Sequence, residues 1–112
     1  MIIDDDHAVS RLLQLTLGLE GHEVKHFPSP REALAAVEAA PPDLVITDVL
    51  MPGYEAADFI KSLRALGFAG PIVACTGLDG SIDLPVTTVL RKPFDPDDLV
   101  EIVNSLLGSQ NG

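Results

Sequence analysis

Leu44-Val45-Ile46-Thr47 runs straight into Asp48, and the reading of this stretch decides the fold. Pro41-Pro42 closes it on one side, and a loop with Pro52 and Gly53 follows on the other. Consecutive apolar and β-branched residues without polar alternation predict a strand covered on both faces. The same pattern recurs in Met1-Ile2-Ile3, cut short by Asp4-Asp5-Asp6, in Pro71 to Cys75 with Thr76 at its end, and in Val86 to Leu90. His22 to Phe27 is a further short extended run.

Between these runs the apolar period changes from continuous to helical. Val9, Leu12, Leu13, Thr16 and Leu17 form one stripe, stopped by Gly21 as a C-terminal cap. Ser29-Pro30-Arg31-Glu32 is a helix start: the serine caps, the proline suits the first turn, and the glutamate stands where a capping box needs it. That helix turns Ala33, Leu34 and Val37 inward and ends before Pro41. A third helix, Ala56 to Leu66, buries Phe59, Ile60 and Leu63 and stops at Gly67. Asp95-Pro96-Asp97-Asp98 opens the last, with acids at its positive end and Leu99, Ile102, Val103 and Leu106 on its inner face. Strands alternating with amphipathic helices predict an α/β fold, a doubly wound, five-stranded parallel sheet of flavodoxin-like order 2-1-3-4-5 with helices on both faces. One domain over residues 1–107 and a polar tail over 108–112 are expected.

Composition removes several functions. The chain has 112 residues, 46% of them hydrophobic, enough for one core. Its longest uncharged stretch, Ala65 to Leu78, is too short and too broken by glycine and proline to span a membrane. No export signal opens the chain. The single Cys75 excludes an internal disulfide and fits a reducing cytoplasm. A formal net charge of −10 repels nucleic-acid phosphates and anionic lipid, leaving cations and protein surfaces as partners. No Gly-rich phosphate loop of the nucleotide-binding kinds is present.

In such a sheet the site lies beyond the carboxyl ends of the strands. Those ends deliver Asp4, Asp5 and Asp6 from strand one, Asp48 from strand three, Thr76 from strand four and Lys92 from strand five. Several carboxylates in one cleft repel and stay ionised only beside a cation. Hard oxygen ligands in a shallow site suit Mg²⁺. A cation, a lysine and a hydroxyl around one carboxylate describe a phosphoryl site. Asp6 is expected to cap the first helix and not to bind metal. Cys75 reads as a small core residue, and His7, His22 and His26 lack metal spacing, with His22 and His26 alternating along a strand.

Four motifs in this order, Ile3-Asp4-Asp5-Asp6, Ile46-Thr47-Asp48-Val49-Leu50-Met51-Pro52, Ala74-Cys75-Thr76-Gly77 and Leu90-Arg91-Lys92-Pro93-Phe94, resemble the receiver domain of two-component response regulators over essentially the whole chain. The resemblance implies that Asp48 accepts a phosphoryl group from a phosphohistidine on a sensor histidine kinase or histidine phosphotransfer protein. It implies Mg²⁺ bound by Asp5, Asp48 and the Leu50 carbonyl, with Asp4 acting through water. It gives Thr76 and Lys92 the phosphoryl oxygens, and makes Lys92–Pro93 a cis peptide bond. The chain would be no enzyme beyond catalysing its own phosphorylation and dephosphorylation, and would signal to a downstream protein the sequence does not name.

The chain departs from the family pattern. Strand one is short. Val89 stands where the family usually carries an aromatic switch residue, and Ala56 follows Glu55 where a glycine is usual. Residues 77–85 are too few for an ordinary parallel crossover and show turn chemistry, so the family's fourth helix is expected to be missing or a single turn. These departures leave a second reading, a receiver-like module that docks without being phosphorylated. An aspartyl phosphatase would need an acid at position 50, which is Leu50.

Overall fold

The computed structural model describes residues 1–4, 6–49, 55–77 and 84–108. Its strands are β1 (Ile2–Ile3), β2 (His26–Phe27), β3 (Val45–Asp48), β4 (Ile72–Thr76) and β5 (Thr88–Arg91). They form one five-stranded sheet, all parallel, in the order β2-β1-β3-β4-β5. The helices among the described residues are α1 (His7–Leu19), α2 (Pro30–Ala39), α3 (Ala56–Ala65) and α4 (Pro96–Gly108). This is the doubly wound α/β arrangement expected from the sequence.

Strand residues face the two helix layers alternately, as the two-residue period of a strand requires. Ile2, Ile46, Val73, Cys75 and Leu90 pack with Leu13 and Leu17 of α1 and with Leu99 and Val103 of α4. Ile3, Val45 and Ile72 pack on the other face with Ala33 and Val37 of α2 and with Phe59, Ile60 and Leu63 of α3. With both faces covered, the central strands have no room for polar side chains except at their ends. Those ends are where the charged groups gather.

Local chemistry fixes the helices. Asp6 Oδ1 accepts the N–H groups of Ala8 and Val9 at 3.0 and 3.2 Å, so Asp6 is the cap of α1. Ser29 Oγ accepts the Glu32 N–H and donates to the Glu32 carboxylate, both at 3.4 Å; the return bond of the capping box goes to the hydroxyl. Gly21 and Gly67 follow α1 and α3 with φ of +90° and +94°, a backbone region that favours glycine. Asp95 Oδ1 accepts the Asp97 N–H at 2.9 Å at the start of α4.

Some boundaries move. Only His26 and Phe27 of the extended run 22–27 join the sheet. The last strand starts at Thr88 and not at Val86, because the Val86 N–H turns back onto the Leu84 carbonyl at 2.8 Å. The Thr87 hydroxyl then stands in for a strand group and accepts the Ile72 N–H at 3.0 Å. Helix α4 takes in Gly108, which the sequence reading gave to the tail. The remaining tail residues, 109–112, lie outside the described residues. Between β4 and β5 the described residues, 77 and 84–87, contain no helix, and the rest of the shortened-helix expectation falls on 78–83, outside them. Among the described residues no helix is long and apolar enough to cross a membrane.

Candidate functional site

The register sets the site. β1 runs beside β3 with Ile3 opposite Thr47, and β3 beside β4 with Asp48 opposite Cys75. Asp4 and Asp48 therefore leave neighbouring strands at the same end of the sheet. β5 brings its own end alongside, with Thr76 opposite Arg91. The Lys92 N–H donates to the Thr76 carbonyl at 2.7 Å, which holds the lysine backbone against the end of β4. The Lys92–Pro93 peptide is cis, as the resemblance implies.

The Lys92 side chain turns back over the strand ends. Its Nζ lies 3.2 Å from Asp4 Oδ2 and 3.5 Å from Asp48 Oδ2, so one ammonium bridges two carboxylates from different strands. Asp48 Oδ1 accepts the Val49 N–H at 2.7 Å. Asp4 is buried, at 1% exposure, and Asp48 reaches further out, at 8%. Thr76 is buried at the end of β4.

Electrostatics follow from this packing. Burial raises the Asp4 pKa, the Asp6 N–H lowers it, the Asp48 carboxylate raises it and Lys92 lowers it; the net displacement is upward. Burial alone would lower the Lys92 pKa, but the Asp4 and Asp48 carboxylates outweigh it and hold the ammonium above its ordinary range. Lys92 is thus a fixed positive charge at neutral pH. Burial pushes the Cys75 thiol up to about 12, which makes it an inert core group.

Of the sequence-predicted site residues, the structure joins Asp4, Asp48 and Lys92 directly and places Thr76 on the adjoining strand end. Asp5 and Leu50, both expected at the metal, lie outside the described residues. Asp4 is engaged at all three of its oxygens. Its Oδ1 accepts the Asp6 N–H at 2.8 Å, its Oδ2 meets Lys92, and its main-chain oxygen takes His26 Nε2 at 2.8 Å and Ser10 Oγ at 3.4 Å. The sequence reading missed His26 and Ser10. The strand order held the signal, since strand two next to strand one puts the end of 22–27 beside the acids.

Oxygen donors of this kind suit a hard divalent cation. The described carboxylates, Asp4 and Asp48, carry one charge more than Lys92 cancels, and Asp5 adds another from the sequence. Among the described residues these two carboxylates form no three-ligand cluster, and their hard oxygens are of the kind Mg²⁺ takes.

The chain as a whole is similar to known proteins. The profile of the response regulator receiver domain matches residues 1–104. The chain is similar to the response regulator MprA of Mycolicibacterium vanbaalenii, at 31% identity over 96% of this chain and 49% of that protein. It is also similar to the transcriptional regulatory protein PcoR of Escherichia coli, at 32% identity over 96% of this chain and 50% of that protein. The chain thus spans about half the length of these relatives. The chemotaxis protein CheY4 of Vibrio cholerae superposes with a TM-score of 0.85 at 29% identity, covering 95% of each chain. With the receiver profile covering residues 1–104 and the strand order of a CheY-like sheet, this chain belongs to the response regulator receiver domain family.

Proposed function

We propose that the chain is the phosphoacceptor switch of a two-component phosphorelay, with Asp48 as the acceptor. The observation that carries this is the Lys92 ammonium held between Asp48 and the buried Asp4 at the open end of the sheet. An Asp48 carboxylate oxygen attacks the phosphorus of a phosphohistidine on a sensor histidine kinase or phosphotransfer protein. The P–N bond breaks, the new O–P bond forms, and the leaving imidazole keeps the electron pair and takes up a proton. Lys92 stands where a phosphoryl oxygen on Asp48 would gather charge, and it is already paid for by Asp4. The Thr76 hydroxyl, one strand away, donates to another of those oxygens.

Asp5, Asp48 and the Leu50 carbonyl would hold Mg²⁺, with Asp4 behind them. The bound ion would supply charge neutralisation on the phosphoryl oxygens. The chain turns over no separate substrate; it catalyses only its own phosphorylation and dephosphorylation. Its donor and its downstream target are proteins. The net charge of −10 disfavours direct contact with nucleic acid or membrane, and the free, buried Cys75 suits the cytoplasm.

The test is intact mass after incubation with acetyl phosphate and Mg²⁺. Wild type gains one phosphoryl group and Asp48→Asn gains none. A wild type that stays unmodified by acetyl phosphate and by every histidine kinase of its source would leave the docking-only reading in its place.

A further inference from the structure

We infer that His26 is a positioning residue of the phosphoryl site, acting through the main-chain carbonyl of Asp4. This rests on the phosphoacceptor reading of the cleft. His26 Nε2 lies 2.8 Å from that carbonyl oxygen. A carbonyl only accepts, so Nε2 carries the proton and the ring is the donor.

The bond matters because of where the sheet stops. β1 is Ile2–Ile3, and its pairing ends with Ile3 opposite Phe27 on one side and Thr47 on the other. Asp4 is the first residue past both ladders, and its carbonyl is met by side chains. His26 supplies a tie from β2 by side chain, and the buried Ser10 of α1 adds a second donor to the same oxygen at 3.4 Å. The carbonyl stands on the same residue as the buried carboxylate, so fixing its oxygen fixes the backbone from which that carboxylate departs. The Asp4 carboxylate is held in turn by the Asp6 N–H and by Lys92. His26 itself is half-buried and meets the His7 ring edge-on, with centroids 6.5 Å apart. One imidazole thus sets the direction of the acidic corner that Lys92 bridges to Asp48. Outer partners of this kind cost roughly 10- to 100-fold in metal affinity or activity when removed.

The test uses two variants of the full chain. His26→Leu removes the donor; His26→Gln keeps an N–H the same number of bonds from Cα. Mg²⁺ affinity by calorimetry and the rate of phosphorylation by acetyl phosphate are measured, with thermal melts to show that each variant is folded. His26→Leu should lose about 10-fold or more in both, and His26→Gln should recover most of the loss. The wild-type ring should show the Nε2–H tautomer in its ¹⁵N spectrum. Wild-type values in His26→Leu, a His26→Gln as impaired as His26→Leu while folded, or a wild-type ring with its proton on Nδ1 alone would each overturn the assignment. If wild type takes no phosphoryl group, the phosphoacceptor reading falls, and the Mg²⁺ affinities decide on His26. A wild type that also fails to bind Mg²⁺ overturns both.

Discussion

Lys92 Nζ lies 3.2 Å from Asp4 Oδ2, a contact that ties the end of the last strand to the end of the first. The lysine side chain keeps 21% exposure while the Asp4 side chain keeps 2%. The pair is therefore lopsided: removing the lysine leaves a buried carboxylate with Asp48 beside it.

Lys92→Met should lower stability without Mg²⁺ by about 1–3 kcal/mol, less than for a fully buried pair because the ammonium is part-exposed. Added Mg²⁺ should restore more stability in this variant than in wild type. The variant should still accept a phosphoryl group, since Asp48 remains. Urea melts with and without Mg²⁺ check the first two, and equal Mg²⁺ responses in the two proteins would count against the bridge.

Asp6 stands next to the cluster in sequence but spends its carboxylate on the first turn of α1. Asp6→Ala should cost about 1 kcal/mol through loss of the cap, and Asp6→Ser should restore it. Both should be phosphorylated at close to the wild-type rate. A large loss of Mg²⁺ affinity in Asp6→Ser would show instead that the carboxylate serves the metal.

How far the sequence carried this account depends on the kind of feature. The strands were legible because Leu44 to Thr47 and Ile72 to Cys75 are continuous apolar runs, and burial on both faces leaves no other reading. Asp6 and Ser29 were legible as caps because capping is a local pattern. The end of β5 was legible but its start was not, since the Leu84–Val86 turn depends on a backbone bond that no residue type announces. Asp4, Asp48 and Lys92 could be placed in one cleft because each closes a strand. The bridging position of Lys92 and the grip of His26 on the Asp4 carbonyl needed the fold, because they depend on side-chain direction between residues far apart in the chain.

Cys75 gives a pH test of the core. Its thiol, 1% exposed, titrates at about 12 in the folded chain against an ordinary value near 9.0. A group whose folded pKa is raised contributes its stability fully below the unfolded pKa and loses it as pH climbs through the folded one. Wild type should therefore lose stability between about pH 9 and 12 more steeply than Cys75→Ala, by at most about 1.4 kcal/mol per pH unit. Lys92 titrates in both proteins, and its attraction to the Cys75 thiolate is part of the difference. Parallel pH profiles would mean that the thiol is not buried as described. Iodoacetamide should also label the native protein at pH 8 far more slowly than the urea-unfolded chain.

The central claim is that Asp48 carries the phosphoryl group. Borohydride reduces an aspartyl phosphate to homoserine, which marks the modified position permanently. After phosphorylation with Mg²⁺ and acetyl phosphate, reduction and peptide mapping should find homoserine at position 48 and at no other aspartate. Homoserine at position 4, 5 or 6 instead, or none anywhere in a protein that binds Mg²⁺, would contradict the account.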